Sequence, residues 1–90
     1  MWELLYSTQF KKDLKRIKHD QAKIDALQTV LEQLVNEGFV DRSYRPHLLT
    51  GEYSGCIECH VQNDFLLIWI DGDAKVIKLV RVGTHSELFR

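Results

Sequence analysis

The stretch Gly55-Cys56-Ile57-Glu58-Cys59-His60-Val61-Gln62-Asn63-Asp64-Phe65-Leu66-Leu67-Ile68-Trp69-Ile70-Asp71-Gly72-Asp73 decides the fold. Its first part alternates. Ile57, Cys59 and Val61 point one way and Cys56, Glu58 and His60 the other, the period-two pattern of a strand with unlike faces. Gln62-Asn63-Asp64 is a turn signal. Phe65 to Ile70 is apolar at every position, as a strand buried on both faces in the middle of a sheet should be. Asp71-Gly72-Asp73 marks the next hairpin turn, and Lys75 to Val82 supplies the last strand.

Toward the N-terminus, Trp2 to Tyr6 reads as a short strand. Ser7 or Thr8 then caps a helix running to about His19, with Phe10, Leu14 and Ile17 at helical spacing. Asp20 starts a second helix whose apolar stripe is Ile24, Leu27, Leu31, Leu34 and Val35, and Gly38 ends it. Residues 39 to 55 read as a loop holding the only proline, Pro46. The order β-α-α-β-β-β predicts an α+β fold: a two-helix hairpin on one face of a mostly antiparallel four-stranded sheet. At 90 residues, one domain spanning 1–90 is the expectation.

A hydrophobic fraction of 44% with 28% charged residues is ordinary for a globular protein. The longest apolar run, Phe65 to Ile70, is too short to span a bilayer, so no membrane partner is expected. Met1-Trp2-Glu3 lacks the basic start and apolar stretch of a signal peptide, which predicts a cytoplasmic protein. A net charge of −1 weighs against an autonomous nucleic-acid binder. The distribution is uneven, however. Residues 1 to 19 carry Lys11, Lys12, Lys15, Arg16 and Lys18 against Glu3 and Asp13, whereas residues 20 to 64 carry eight acids against Lys23, Arg42 and Arg45. A basic first helix on an acidic body can steer toward RNA or an acidic partner, and a solvated helix face is the plainer alternative.

The tail Arg81-Val82-Gly83-Thr84-His85-Ser86-Glu87-Leu88-Phe89-Arg90 places a fixed cation, a group that titrates near neutral pH and an aromatic ring close together. His47, His60 and Asp64 lie upstream. Taken singly, Asp64 is a turn former and each histidine a surface or packing residue. Converging, they suit cleavage of an RNA phosphodiester. RNA carries its own nucleophile, the 2′-hydroxyl, so the protein supplies a base, an acid and a cation, with no metal or other cofactor. Arg81 is the candidate phosphate clamp, because its planar fork bonds two oxygens and stays charged. Two of His47, His60 and His85 can divide the acid and base tasks, with Asp64 a further candidate. Phe89 can stack on a base. Cys56-Ile57-Glu58-Cys59-His60 also matches a C-x-x-C-H haem-attachment string. Strand alternation puts the two cysteines on opposite faces, and there is no second cysteine pair to complete a zinc site, so both are expected to pack.

With those residues in view, the chain resembles the YafQ-like branch of the RelE/ParE superfamily of bacterial toxins. The likeness rests on His47-x-Leu49-x-Gly51-x-x-x-Gly55-Cys56-Ile57-Glu58-x-His60, on Asp64-Phe65-Leu66-Leu67-Ile68-Trp69, and on the tail from Arg81 to Phe89. Tyr6-Ser7-x-x-Phe10-Lys11-Lys12-Asp13-Leu14-Lys15 extends it over almost the whole chain. The resemblance implies a toxin of a toxin–antitoxin pair that cleaves mRNA on the ribosome. It further implies a cognate antitoxin that can join it in a hetero-oligomer, no cofactor, and functional roles for His47, His60, Asp64, Arg81, His85 and Phe89. Ile57 departs from the arginine many relatives carry, Phe65 from tryptophan, Asn63 from proline and Trp69 from tyrosine; loss of the cation at 57 bears on RNA backbone contact. Two other classes stand beside this one. A ParE-like inhibitor of DNA gyrase would have no need of converging histidines, and the histidine set argues against it; a non-catalytic module, active only as a repressor or binding partner, is the other.

Overall fold

Ser7 closes the first strand and opens the first helix. In the computed structural model, which describes residues 1–89, β1 (Glu3–Tyr6) runs into α1 (Thr8–Ile17). Ser7 Oγ accepts a hydrogen bond from the Phe10 N–H at 3.0 Å, satisfying one of the donors left orphaned at a helix start. Asp20 does the same for α2 (Gln21–Glu37), accepting from the Lys23 N–H at 3.2 Å. Gly38 ends α2 in the left-handed region at φ 78°, its N–H donating to the Leu34 carbonyl. A Cβ at this position would also overlap the Trp2 indole. Dihedral and contact both demand glycine here.

The second half of the chain builds the sheet. β3 (Ile57–Gln62), β4 (Phe65–Asp71) and β5 (Val76–Gly83) pair antiparallel in sequence, and β1 joins the far side of β5 in parallel. The mostly antiparallel α+β architecture is therefore as expected. The strand count is not. A fifth strand, β2 (His47–Leu48), pairs with Glu58 and Ile57 inside the stretch expected to be loop, giving the order β1-β5-β4-β3-β2. Two residues are too few to show alternation, and the preceding Pro46 is tolerated because β2 lies at the sheet edge. Single 3-10 turns at Arg42–Tyr44 and Gly51–Tyr53 flank β2.

Two further details differ. Between β4 and β5 the left-handed residues are Ala74 (φ 56°) and Lys75 (φ 60°), rather than Gly72, and β5 starts at Val76. Lys75 is held by the first strand: its carbonyl accepts from the Glu3 N–H at 2.8 Å and its Nζ lies 4.9 Å from the Trp2 ring centre. After β5, Thr84 caps a one-turn helix, α3 (His85–Leu88), through a reciprocal bond with Glu87.

The two sheet faces carry different cores. Against the helices, Phe10, Ile17, Leu27, Val30 and Leu34 pack on Cys59, Phe65, Leu67, Trp69, Ile77 and Leu79. On the other face Cys56, Leu66 and Ile68 form a smaller cluster roofed by Leu88 of α3. The alternation in β3 thus splits as read, with Cys56 and Cys59 in separate clusters. Residues Phe65 to Trp69 of the central strand are all buried. Among the described residues, no helix is long and apolar enough to cross a membrane.

Candidate active site

The face away from the helices carries a row of rings. His47 from β2, His60 from β3 and His85 from α3 follow one another with ring centres 6.4 and 6.3 Å apart. Phe89 continues the row 5.9 Å beyond His85, and Tyr53 meets Phe89 edge-on at 5.5 Å. Four separate segments contribute, so only the folded sheet assembles the row. The register explains how. His47 stands opposite Glu58 across the β2–β3 pair, two residues from His60, and Leu66 lies between His60 and Gly83 in the ladder. Thr84 then turns the chain and delivers His85.

Each ring is fixed differently. Asp64 Oδ1 accepts both the His85 backbone N–H at 2.9 Å and a 2.7 Å bond with His85 Nδ1. Those contacts, the backbone bond first, hold the Asp64 carboxyl below the usual carboxylate range, so it is an anion near neutral pH and Nδ1 carries the proton. The Nε2 atom of His85 is left facing outward, able to accept or donate. His60 makes a long 3.5 Å contact from Nδ1 to the Asn63 carbonyl. His47 is engaged at both nitrogens: Nδ1 meets the Arg45 carbonyl at 2.9 Å and Nε2 meets Glu58 Oε1 at 3.2 Å. Both nitrogens face oxygen acceptors, which fixes the ring plane.

Arg81 sits deeper than a simple phosphate clamp would. Its Nε and Nη2 form a fork on Asp13 at 2.8 and 3.1 Å, and Nη1 donates to the Tyr53 hydroxyl at 3.1 Å. Asp13, on α1, is wholly buried and also accepts the Val82 N–H at 3.0 Å. Burial alone would raise its pKa, but the Arg81 bonds and the Val82 N–H outweigh it and hold the carboxyl below its ordinary 3.8. Arg81, in turn, is pushed above its usual value, mainly by Asp13. One hydrogen on each Nη is left for a ligand, so the clamp read from the sequence is reduced to a held cation with few spare donors.

The structure therefore gathers His47, His60, Asp64, His85 and Phe89 along one surface, with Arg81 joined to it through Tyr53. Asp13, Tyr53 and Glu58 complete the site and were not singled out from the sequence. Glu58 is buried beneath His47, and its Oε2 has no hydrogen-bond partner among the described residues. Its alternation with Ile57 placed it on the histidine face, which was the available signal. Asp13 had none, because an acid among lysines on an amphipathic helix reads as solvated. Chemically, the row offers two imidazole nitrogens without a partner among the described residues, an anchored carboxylate, a half-buried cation and an exposed ring.

A two-helix hairpin on one face of a mostly antiparallel sheet is the RelE/ParE-like fold, and a YoeB/ParE toxin from Agrobacterium tumefaciens shares it with TM-score 0.76 at 11% identity, covering 92% of this chain and 98% of that one. The family model described as bacterial toxin of type II toxin-antitoxin system, YafQ, matches residues 2–90, and the chain belongs to that family. It is 31% identical over 88 residues to the mRNA interferase toxin YafQ of Escherichia coli, covering 97% of this chain and 95% of that one. The E. coli DinJ-YafQ complex contains a chain that superposes with TM-score 0.85 at 30% identity, with 100% of each chain covered. A metal-bound toxin from Helicobacter pylori is equally similar in shape, TM-score 0.85 at 33% identity, covering 99% of this chain and 100% of that one.

Proposed function

We propose that this toxin is a ribosome-dependent mRNA endoribonuclease that acts in the cytoplasm and is silenced by a cognate antitoxin bound to it. The observation that carries the chemistry is the pinning of His85 by Asp64 at 2.7 Å beside His60, with Phe89 next in line. His85 and His60 each keep Nε2 without a partner among the described residues, so they divide the proton transfers. One removes the proton from the 2′-hydroxyl, which attacks the adjacent phosphorus. The other protonates the departing 5′-oxygen. Asp64 orients His85 by accepting from its backbone N–H and from Nδ1. His47, engaged at both nitrogens, is held as a fixed wall at the end of the row. Arg81 adds a fixed cation through its remaining donors, and Phe89 stacks on a base to hold the attack geometry. The row lies on open surface beside a shallow groove, which fits a substrate presented by another particle.

The catalytic set and the 2′-hydroxyl suffice without a metal, so cleavage is expected to persist in chelator. Mapping mRNA ends in a translating extract, with and without ribosomes, tests this. The upstream fragment should end in a 2′,3′-cyclic or 3′-phosphate and the downstream one in a 5′-hydroxyl. Continued cutting of a message whose critical 2′-hydroxyl is replaced by hydrogen would rule the mechanism out.

A further inference from the structure

A polar groove of about 600 Å³ opens beside the histidine row, bordered by Tyr44, Arg45, His60, Gln62, Asn63 and Asp64. That size lies within the range of small-molecule sites, about 300–1,000 Å³. The turn after α2 meets the β3–β4 hairpin here, and the groove shares His60 and Asp64 with the proposed catalytic set. Arg45 is its distinctive member. Its backbone lies in the left-handed region at φ 54°, an uncommon conformation for a side chain of this size. It is locked from both sides: its N–H donates to the Arg42 carbonyl at 2.9 Å, and its own carbonyl binds His47 Nδ1 at 2.9 Å. The guanidinium is exposed and has no ion-pair partner among the described residues. Arg81 is the opposite case, forked on Asp13.

We propose that this groove is a nucleotide subsite flanking the scissile bond, in which Arg45 binds the neighbouring phosphate and the Gln62 and Asn63 amides read the base. The proposal rests on the RNA-cleavage function above. The charges set the orientation. Asp64 borders the far end as an anion held by His85, so a phosphate is repelled there and drawn to Arg45. The base then lies against Gln62 and Asn63, both exposed, whose amides each offer a donor and an acceptor to base edges. Because Arg45 shares its turn with His47, an occupied subsite also fixes one end of the histidine row.

The test titrates the full-length toxin with each of the tetrameric homo-oligodeoxynucleotides, which lack the 2′-hydroxyl and cannot be cut, and follows backbone amides by NMR. Amides of Arg45, Gln62 and Asn63 should shift, and the four bases should differ in affinity. Arg45→Ala should weaken binding about tenfold and lessen its salt dependence, with Arg45→Lys recovering most of the loss. In the translating extract the same variant should raise KM more than it lowers kcat, and Gln62→Ala with Asn63→Ala should change which sequences are cut. Shifts confined to the Phe89 end, no shift at millimolar oligonucleotide, or equal affinity in Arg45→Ala would overturn the subsite. Groove binding by a wild-type protein that cuts no mRNA would leave the subsite standing and remove the catalytic reading instead.

Discussion

Two carboxylate-anchored pairs of nearly equal length lie at and just beyond the end of β5. Asp13 meets Arg81 at 2.8 Å with side chains 0% and 16% exposed; Asp64 meets His85 at 2.7 Å with side chains 59% and 58% exposed. The bonds are alike and their surroundings are not. Inside, removing Asp13 strands Arg81 and the Val82 N–H in a low-dielectric site, and removing Arg81 leaves Asp13 only the more exposed Arg16 at 3.2 Å as counter-charge, so the pair acts as a structural bolt from α1 to β5. At the surface, water screens the pair and its contribution to stability is small. There the carboxylate is free to set the tautomer and direction of a histidine. Burial, rather than bond length, separates the pair that holds the fold from the pair that can serve chemistry.

The strongest way to break that contrast is to empty the inner pair. Asp13→Ala should cost about 3–5 kcal/mol, because it leaves Arg81 partly buried without its partner and the Val82 N–H without an acceptor. Chemical denaturation of the isolated variant reads this directly. An unfolding free energy within about 1 kcal/mol of wild type would show that the inner pair does not bolt α1 to β5. Arg81→Ala should follow Asp13→Ala in stability. Its loss of cleavage therefore mixes folding with catalysis and cannot by itself identify a phosphate clamp.

The outer pair should behave in the reverse manner. His85→Ala is expected to lower the rate of ribosome-dependent mRNA cleavage about 10² to 10⁴-fold while leaving the melting temperature nearly unchanged. Asp64→Asn should lie between, since the amide oxygen still accepts from the His85 backbone but holds the Nδ1 side less strongly than a carboxylate does. A folded His85→Ala toxin with undiminished cleavage would remove this histidine from the mechanism.

Much of this architecture was legible in the chain because it follows from periodicity. Alternation in residues 56 to 61 set the faces of β3, and the apolar run Phe65 to Ile70 marked the central strand. Helix caps at Ser7, Asp20 and Gly38 fixed the hairpin. The histidines and Asp64 were readable as chemistry-bearing types on or beside that face. What escaped notice was long-range pairing. Asp13 and Arg81 are 68 positions apart and bond only because α1 crosses β5. β2 is too short for a pattern, and Tyr53 lies in a loop with no period at all. The α3 turn did carry a signal, the Thr84-x-x-Glu87 capping box, but a single turn at a chain end is easily passed over.

Acid should act on the two pairs through the same sign and with different weight. Asp13 has its pKa lowered on folding, so its contribution to stability is present above the ordinary carboxylate value of 3.8 and is lost as pH falls through the lower folded-state value. Asp64 shifts in the same direction, but as an exposed group it should matter far less. Urea midpoints measured from neutral pH down through the carboxylate range should fall steeply in wild type and less steeply in Asp13→Asn. Asp64→Asn should track wild type; a flatter curve in Asp64→Asn than in Asp13→Asn would invert the comparison.

The smallest expected effect comes from the side chain that joins the two regions. The Tyr53 hydroxyl accepts from Arg81 Nη1 at 3.1 Å and donates to the Leu88 carbonyl at 3.1 Å, while its ring meets Phe89 edge-on. It is thus the bridge from the inner bolt to the helix that presents His85. Tyr53→Phe removes the two hydrogen bonds and keeps the ring, at a cost of about 1 kcal/mol, since Arg81 stays paired with Asp13. If the bridge only adds stability, cleavage by the folded variant should match wild type once the unfolded fraction is allowed for. If it positions α3, kcat should fall roughly tenfold at saturating substrate with KM little changed, because the rings proposed to bind RNA are still present and only their placement is looser. Tyr53→Ala should lose more on both counts, having also lost the Phe89 contact. An equal kcat for Tyr53→Phe and wild type would show that the two regions are joined in space and independent in function.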